Sequence, residues 1–296
     1  MNELISIIIP TYNSSKWIDE TLNSVLNQTY FNWECILVDD GSVDNSEKII
    51  IKYSKRDKRI NFLKRPNNRI KGANTCRNFG FEKASGNFIQ WFDSDDLMHP
   101  RFLELKVQEL KKSYSDFVVC KGAIFKGKIE NKIGDWDKLS GTTPVLDQAL
   151  GRINFQTNAP MFRRDFLDGK KLWNETLQRK QDYEFFNRIL AQSANYKIVN
   201  ECLFFYRQHS QSINGINSPT TIRSMILADL LVYKNTIQTI REEDDKFKFQ
   251  QHFFRKIISR SKIALNSKYV FTYFNGLLGA LSIIDFNYII NYFRRK

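Results

Sequence analysis

Over the first 120 residues, short Ile-rich runs alternate with stripes of helical period, and this alternation restricts the fold more than any other feature. Residues 4–10 (LISIIIP) predict a strand. After them Ser14 can cap a helix whose Trp17, Ile18, Thr21, Leu22, Val25 and Leu26 follow a helical stripe. "WECILVDD" predicts a second strand, ending on two acids and the turn signal Gly41-Ser42. "NSEKIIIKYSK" predicts a second helix, "RINFLKR" a third strand, residues 75–84 a third helix and "NFIQWF" a fourth strand. Strand and helix taking turns predict an α/β fold: a mostly parallel sheet covered by helices on both faces. Ligands bind such sheets at the carboxyl ends of the strands. That rule gathers residues 10–13, 39–42 and 93–96 along one edge.

The rest of the chain is less regular. "DFVVC", "GAIFKGKI", "NYKIVN" and "CLFFYRQ" predict strands, and "NAPMFRRDFL" a strand running into a helix. "QDYEFFNRILAQ" predicts a helix with Tyr183, Phe186, Ile189 and Leu190 on one face. From about residue 220 the pattern is helical and basic. Residues 231–296 hold 12 Lys/Arg against 5 Asp/Glu, more than half of the whole chain's net +13. A soft boundary falls at residues 212–221. The expected organisation is a unit of residues 1–215, with halves 1–112 and 113–215, followed by a helical basic region, 216–296.

The basic balance points to anionic partners but does not choose among nucleic acid, lipid and phosphorylated small molecules. A nucleic-acid partner is not expected, because the excess charge sits in the C-terminal helices rather than among strand aromatics. Cys35, Cys76, Cys120 and Cys202 form no C-x-x-C pair and read as reduced, buried thiols of a cytoplasmic protein. The first residues lack the basic flank of a secretory leader. One spanning helix near the C-terminus is disfavoured, since Asn275, Asp285 and Asn287 interrupt its apolar run and an acid at mid-bilayer costs about 3 kcal/mol.

The densest chemistry is "FDSDD". Asp93, Asp95 and Asp96 follow a buried-looking strand. Carboxylates on a rigid strand end suit Mg²⁺ or Mn²⁺, which keep waters and bridge to phosphate oxygens, so few protein ligands suffice. The plainer reading is an acidic turn in which Asp95 or Asp96 caps the helix starting near Pro100. In "VDDGS", Asp39 or Asp40 could accept hydrogen bonds from a base or a ribose, and in "PTYN" the Tyr12 ring could stack on a base. "GAIFKGKI" imitates a phosphate loop but ends in Ile129 where Ser or Thr should stand, and suits a hairpin strand better.

"PTYN", "VDDGS", "CRNFG" and "DSDD" in this order resemble the family 2 glycosyltransferases of the GT-A fold. The resemblance is close over residues 4–110, weakens across the acceptor half, and reappears in "QDYEFF" and "FFYRQHSQSI". It implies a Rossmann-like catalytic domain over residues 1–215 that takes a nucleotide-sugar, a UDP-sugar first, with Mn²⁺ or Mg²⁺. Pro10, Thr11 and Tyr12 with Asp39 and Asp40 would hold the nucleoside, and Arg77 would lie along the nucleotide. Asp93 would reach the ribose, with Ser94 beside it on the donor. Asp95 would hold the metal, His209 would add a ligand, and Asp96 would support. Asp182 would be the catalytic base of an inverting transfer to a glycan or lipid-linked acceptor in cell-surface polysaccharide synthesis. The chain departs from the family pair at Gln181, where an acid is usual. That departure keeps open a non-catalytic nucleotide-sugar-binding or scaffold protein of the same fold. Trp136 and Trp173 could be sugar platforms, although aromatic residues are more often core. "NYIINYFRRK" at the end could lie on the anionic inner face of a membrane. The alternatives for this region are packing on the catalytic domain or on a second copy in a homodimer.

Overall fold

The computed structural model describes residues 3–209, 218–267 and 269–283. The first half runs β1 (Ile5–Thr11), α1 (Ile18–Leu26), β2 (Trp33–Asp39), α2 (Ser46–Arg56), β3 (Ile60–Lys64), α3 (Ala73–Lys83), β4 (Phe88–Trp91), β5 (Leu97–Met98) and α4 (Phe102–Ser113). Next come β6 (Phe117–Phe125), β7 (Lys132–Trp136), α5 (Pro144–Ala149), β8 (Pro160–Arg163), α6 (Arg164–Leu167), α7 (Gln181–Gln192) and β9 (Tyr196–Arg207). Three helices end the described chain: α8 (Pro219–Ile237), α9 (Glu243–Asn266) and α10 (Val270–Ser282).

These strands join one sheet in the order β3-β2-β1-β4-β8-β6-β9-β5, with β7 paired to β6. The expected parallel block is β3-β2-β1-β4. Beyond it the sheet is mixed: β8 runs antiparallel to both β4 and β6, and β9 runs parallel to β6. Two pairs of predicted strands are each one long strand. "DFVVC" and "GAIF" form β6, and "NYKIVN" and "CLFFYR" form β9, with register shifts from Cys120 to Gly122. A bulge there keeps each strand continuous while it bends. The false phosphate loop is the β6–β7 hairpin.

Successive side chains of β1 serve opposite cores. Ile5, Ile7 and Ile9 pack with α1 and α4, and Ile8 packs with Cys76 of α3 and Phe185 and Ile189 of α7. Gly80 of α3 lets that helix lie against β1, for a Cβ there would come within 2.4 Å of Ile8 Cγ2. A third core joins α8, α9 and α10 to Ala149 at the end of α5, with Tyr183 of α7 packed against it. The C-terminal helices therefore rest on the half of the domain that carries α7. Two local expectations fail. Ser14 does not cap α1 through its side chain; its carbonyl takes the amides of Trp17 and Ile18, and its hydroxyl meets Ser94 at 3.1 Å. Cys202 is exposed, while the other three cysteines are buried and all four are free. The predicted boundary at 212–221 falls mostly, and the segment 287–296 wholly, outside the described residues. Among the described residues no helix is long and apolar enough to cross a membrane.

Candidate active site

Parallel pairing sets the carboxyl ends of the first strands side by side. Thr11 of β1 is in register with Asp39 of β2, and Asp39 with Lys64 of β3. A cavity of about 730 Å³ opens at this edge. Pro10, Thr11, Tyr12, Asp40, Arg77, Asp93, Ser94, Asp95, Asp182 and His209 all line it, whereas Asp39 and the supporting Asp96 do not. Asp39 is 2% exposed, and its Oδ2 accepts the amides of Gly41 and Ser42, both at 3.0 Å. It shapes the turn, where Gly41 takes a φ of +88°. Asp40 reaches the cavity with its Oδ1 held by Arg65 Nε at 2.5 Å.

The crowded acids are separated by their partners. Asp93 Oδ1 pairs with Arg77 Nη2 at 2.8 Å, and its Oδ2 accepts from Gln156 Nε2 at 3.2 Å. Asp96 is fully buried and accepts from the Arg207 amide at 2.7 Å and from Asn158 Nδ2 at 2.6 Å. It caps no helix. Asp95 turns to the cavity, with Oδ2 2.8 Å from His209 Nε2. Asp182, in the first turn of α7, accepts from Thr157 Oγ1 at 2.6 Å. Three consecutive residues, Gln156, Thr157 and Asn158, thus each hold one carboxylate. Their segment is anchored from below by Lys106, buried within the fold, whose Nζ donates to the Asn158 carbonyl at 3.0 Å and to Gln90 Oε1 at 2.8 Å. Burial without an acid partner lowers the Lys106 pKa to about 8.

Desolvation dominates the titration of these acids. It raises Asp93 to about 6 against the pull of Arg77, with the Asp95 and Asp182 carboxylates adding to the rise. It raises Asp182 as well, opposed first by Arg77 and then by the Thr157 hydrogen bonds. Asp96 is pushed well above the usual carboxylate range by the same burial and by Asp95 and Asp93.

Arg77 is 4% exposed and stacks on the Trp173 ring at 4.6 Å. Besides Asp93 it donates to Asn74 Oδ1 at 2.9 Å and Gln181 Oε1 at 3.3 Å. It ties the Asp93 strand end to the start of α7, so its place is the cavity wall between the two. Trp173 is core, stacked on Phe185 at 4.1 Å, whereas Trp136 lines the cavity 5.7 Å from Tyr206. Thr157 and its two neighbours went unread because "QTN" before a strand looks like any polar loop. Trp17 also lines the cavity and had read only as part of a helix stripe.

Among the described residues no group of three or more His, Cys, Asp or Glu side chains forms a metal cage. Asp95 and His209 do converge at the cavity, with side chains 32% and 13% exposed. A hard cation that takes its other ligands from phosphate and water fits such a two-donor seat.

The comparisons agree with this architecture. The family model "Glycosyl transferase family 2" matches residues 6–199. "Glycosyltransferase GlyG" of Streptococcus pneumoniae serotype 4 is 29% identical over 226 residues, 72% of this chain and 73% of that protein. The Escherichia coli "UDP-Glc:alpha-D-GlcNAc-diphosphoundecaprenol beta-1,3-glucosyltransferase WfgD" is 40% identical over 115 residues, 39% of this chain and 44% of that one. The solved structure of S. aureus TarS 1-349 in complex with UDP-GlcNAc superposes with a TM-score of 0.72 at 20% identity, covering 96% of this chain and 82% of that one. At that identity the likeness is one of fold, and it places the sheet among GT-A folds. The chain belongs to glycosyl transferase family 2.

Proposed function

We propose that this chain is an inverting glycosyltransferase that moves a sugar from a UDP-sugar to a hydroxyl of a glycan or lipid-linked acceptor in cell-surface polysaccharide synthesis. One observation carries the reading: Asp182, a carboxylate raised by burial and held through one oxygen by Thr157, shares a cavity with the strand-end acids Asp93 and Asp95. The UDP-glucose in the name of WfgD and the UDP-GlcNAc bound to TarS support the choice of nucleotide.

In this reading Tyr12, 48% exposed at the cavity, stacks on the base, and Asp40 accepts from it or from the ribose. Asp93, fixed by Arg77, receives the ribose, with Ser94 beside it. Asp95 and His209 are the residues that would hold Mn²⁺ or Mg²⁺, and a bound divalent cation supplies neutralisation of diphosphate charge. Asp182 takes the proton of the acceptor hydroxyl as that oxygen attacks the anomeric carbon. A raised pKa strengthens it as a base near neutral pH. A single displacement inverts the anomeric centre. Asp182→Asn is expected to abolish release of nucleoside diphosphate while UDP still binds in calorimetry. Equal loss of both would remove Asp182 from the base role, and no turnover of any UDP-sugar by the wild type would return the chain to the non-catalytic reading.

Peripheral membrane association belongs to the same proposal. Val270, Phe271, Phe274, Leu278 and Leu281 of α10 are each at least 50% exposed. Such an apolar face in a basic region suits an anionic bilayer surface. The full chain should co-sediment with phosphatidylglycerol vesicles more than with neutral ones; equal or no binding refutes it.

A further inference from the structure

Beside Asp182 the cavity wall changes sign. Arg179 and Lys180 line it immediately before α7. Their turn is held by α8: Ser224 Oγ accepts the amides of Gln178 and Arg179 at 3.0 and 2.9 Å and donates to the Arg179 carbonyl at 2.8 Å. Lys180 then adopts a φ of +61°, a left-handed conformation that costs a residue with a Cβ roughly 1–2 kcal/mol. The strained backbone projects a partly solvated side chain whose ammonium, among the described residues, has no ion-pair partner.

A second cation meets it from α9. Lys256 Nζ donates to the Tyr183 hydroxyl at 2.9 Å, and Lys180 and Lys256 flank the same Tyr183 ring, at 5.6 and 4.4 Å from its centroid. Two acids are near: Asp182, held by Thr157 and within electrostatic reach of Lys180, and Asp229, fully buried, which already serves both Lys256, at 3.0 Å, and Arg260; Lys180, Lys256 and Arg260 outnumber them. Positive charge is left over. After desolvation, the largest influences on Lys180 are Arg260 and Lys256, both of which disfavour its charge. Lys256 also lines a second, shallower depression of about 470 Å³ on α9, with Lys248, Gln251, His252 and Arg255. Lys256, bonded to the cavity-lining Tyr183, thus connects the basic residues of the cavity wall with those on α9.

We infer that Lys180 and Lys256, with Arg179 and Arg255 on either side, form a phosphate subsite on the acceptor side of the cavity, so that the acceptor carries a phosphoryl group next to its reacting sugar. The inference rests on the reading that an acceptor enters beside Asp182. It extends that reading by naming the acceptor's charge, which ammonium donors and an excess of local positive charge would select. The phosphoryl group could belong to a lipid diphosphate or to a phosphodiester polymer.

The test titrates sodium pyrophosphate into the full chain by calorimetry at constant ionic strength, with EDTA present to suppress metal-dependent binding on the donor side. The wild type should bind, and Lys180→Gln and Lys256→Gln should each weaken binding at least tenfold. Among the described residues Lys180 makes no ion pair, so that variant stays informative if Lys256→Gln does not fold. Dodecyl diphosphate competing with pyrophosphate would assign the lipid source, and glycerophosphoglycerol competing would assign the polymer. No binding to the wild type, unchanged affinity in Lys180→Gln, or competition by neither probe overturns the subsite. UDP titrations with Mn²⁺ on the same proteins keep the two proposals apart. Failure of the wild type to bind UDP would sink the donor reading while leaving the pyrophosphate result to stand or fall alone.

Discussion

Thr157→Val tests the proposed base at its most sensitive point. The substitution keeps the branched shape of a side chain only 2% exposed and removes the hydroxyl that donates to Asp182 Oδ1 at 2.6 Å. A hydrogen bond to a charged group is worth about 1.5–3 kcal/mol. The backbone amide of Thr157, which also favours the carboxylate, stays in place, so the lower end of that range applies. About 1.4 kcal/mol is a tenfold change in a protonation equilibrium. The bond stabilises the ionised form, and its loss must move the carboxyl further up, in the direction desolvation already pushes it. The acid limb of kcat/KM, followed by nucleoside diphosphate release, should therefore shift about one unit to higher pH. The high-pH plateau should fall less than the acid side, because a stronger base partly offsets poorer positioning. An acid limb that stays where the wild type has it, with any loss uniform across pH, would refute the link between Thr157 and the titration of the base.

Two further outcomes follow from the same geometry. Asp95→Ala should weaken Mn²⁺-dependent UDP binding at least tenfold while leaving metal-free UDP binding nearly unchanged; equal affinity in manganese titrations would show that Asp95 is not a ligand. Asp182→Asn should raise the melting temperature near pH 7, because a carboxyl whose pKa rises on folding costs the folded state stability above its unfolded pKa. That advantage should vanish as pH falls below the ordinary aspartate range, and a melting temperature lowered at both pH values would contradict the raised pKa.

The parallel half of the fold was legible because β1, β2 and β4 are nearly continuous apolar runs, and only a sheet covered on both faces buries such strands completely. The polar clusters at their ends were legible for the same reason, since strand ends in register must share an edge. Asp39 shows the limit of that argument. Spacing brought it to the edge where the cavity opens, but which of two adjacent carboxylates faces that cavity depends on a turn whose amides one of them must satisfy. Arg77 shows another limit, for its reach to Gln181 spans 104 residues of chain and exists only because α3 and α7 pack together.

By itself the amino-acid sequence determined the βα alternation, the order of the site motifs and the family, all of which rest on local periodicity and short spacings. The tertiary structure alone decided how four acids share a small volume. Gln156, Thr157 and Asn158 lie some 60 residues from Asp93 and Asp96 and about 25 from Asp182, and no local pattern announces them as partners. It also decided that α8 and α9 brace the cavity wall from behind, Ser224 holding the turn of Gln178 and Arg179 and Lys256 holding Tyr183. Those contacts arise from packing a third core against α5 and α7, and long-range packing of that kind leaves no period in the chain to read.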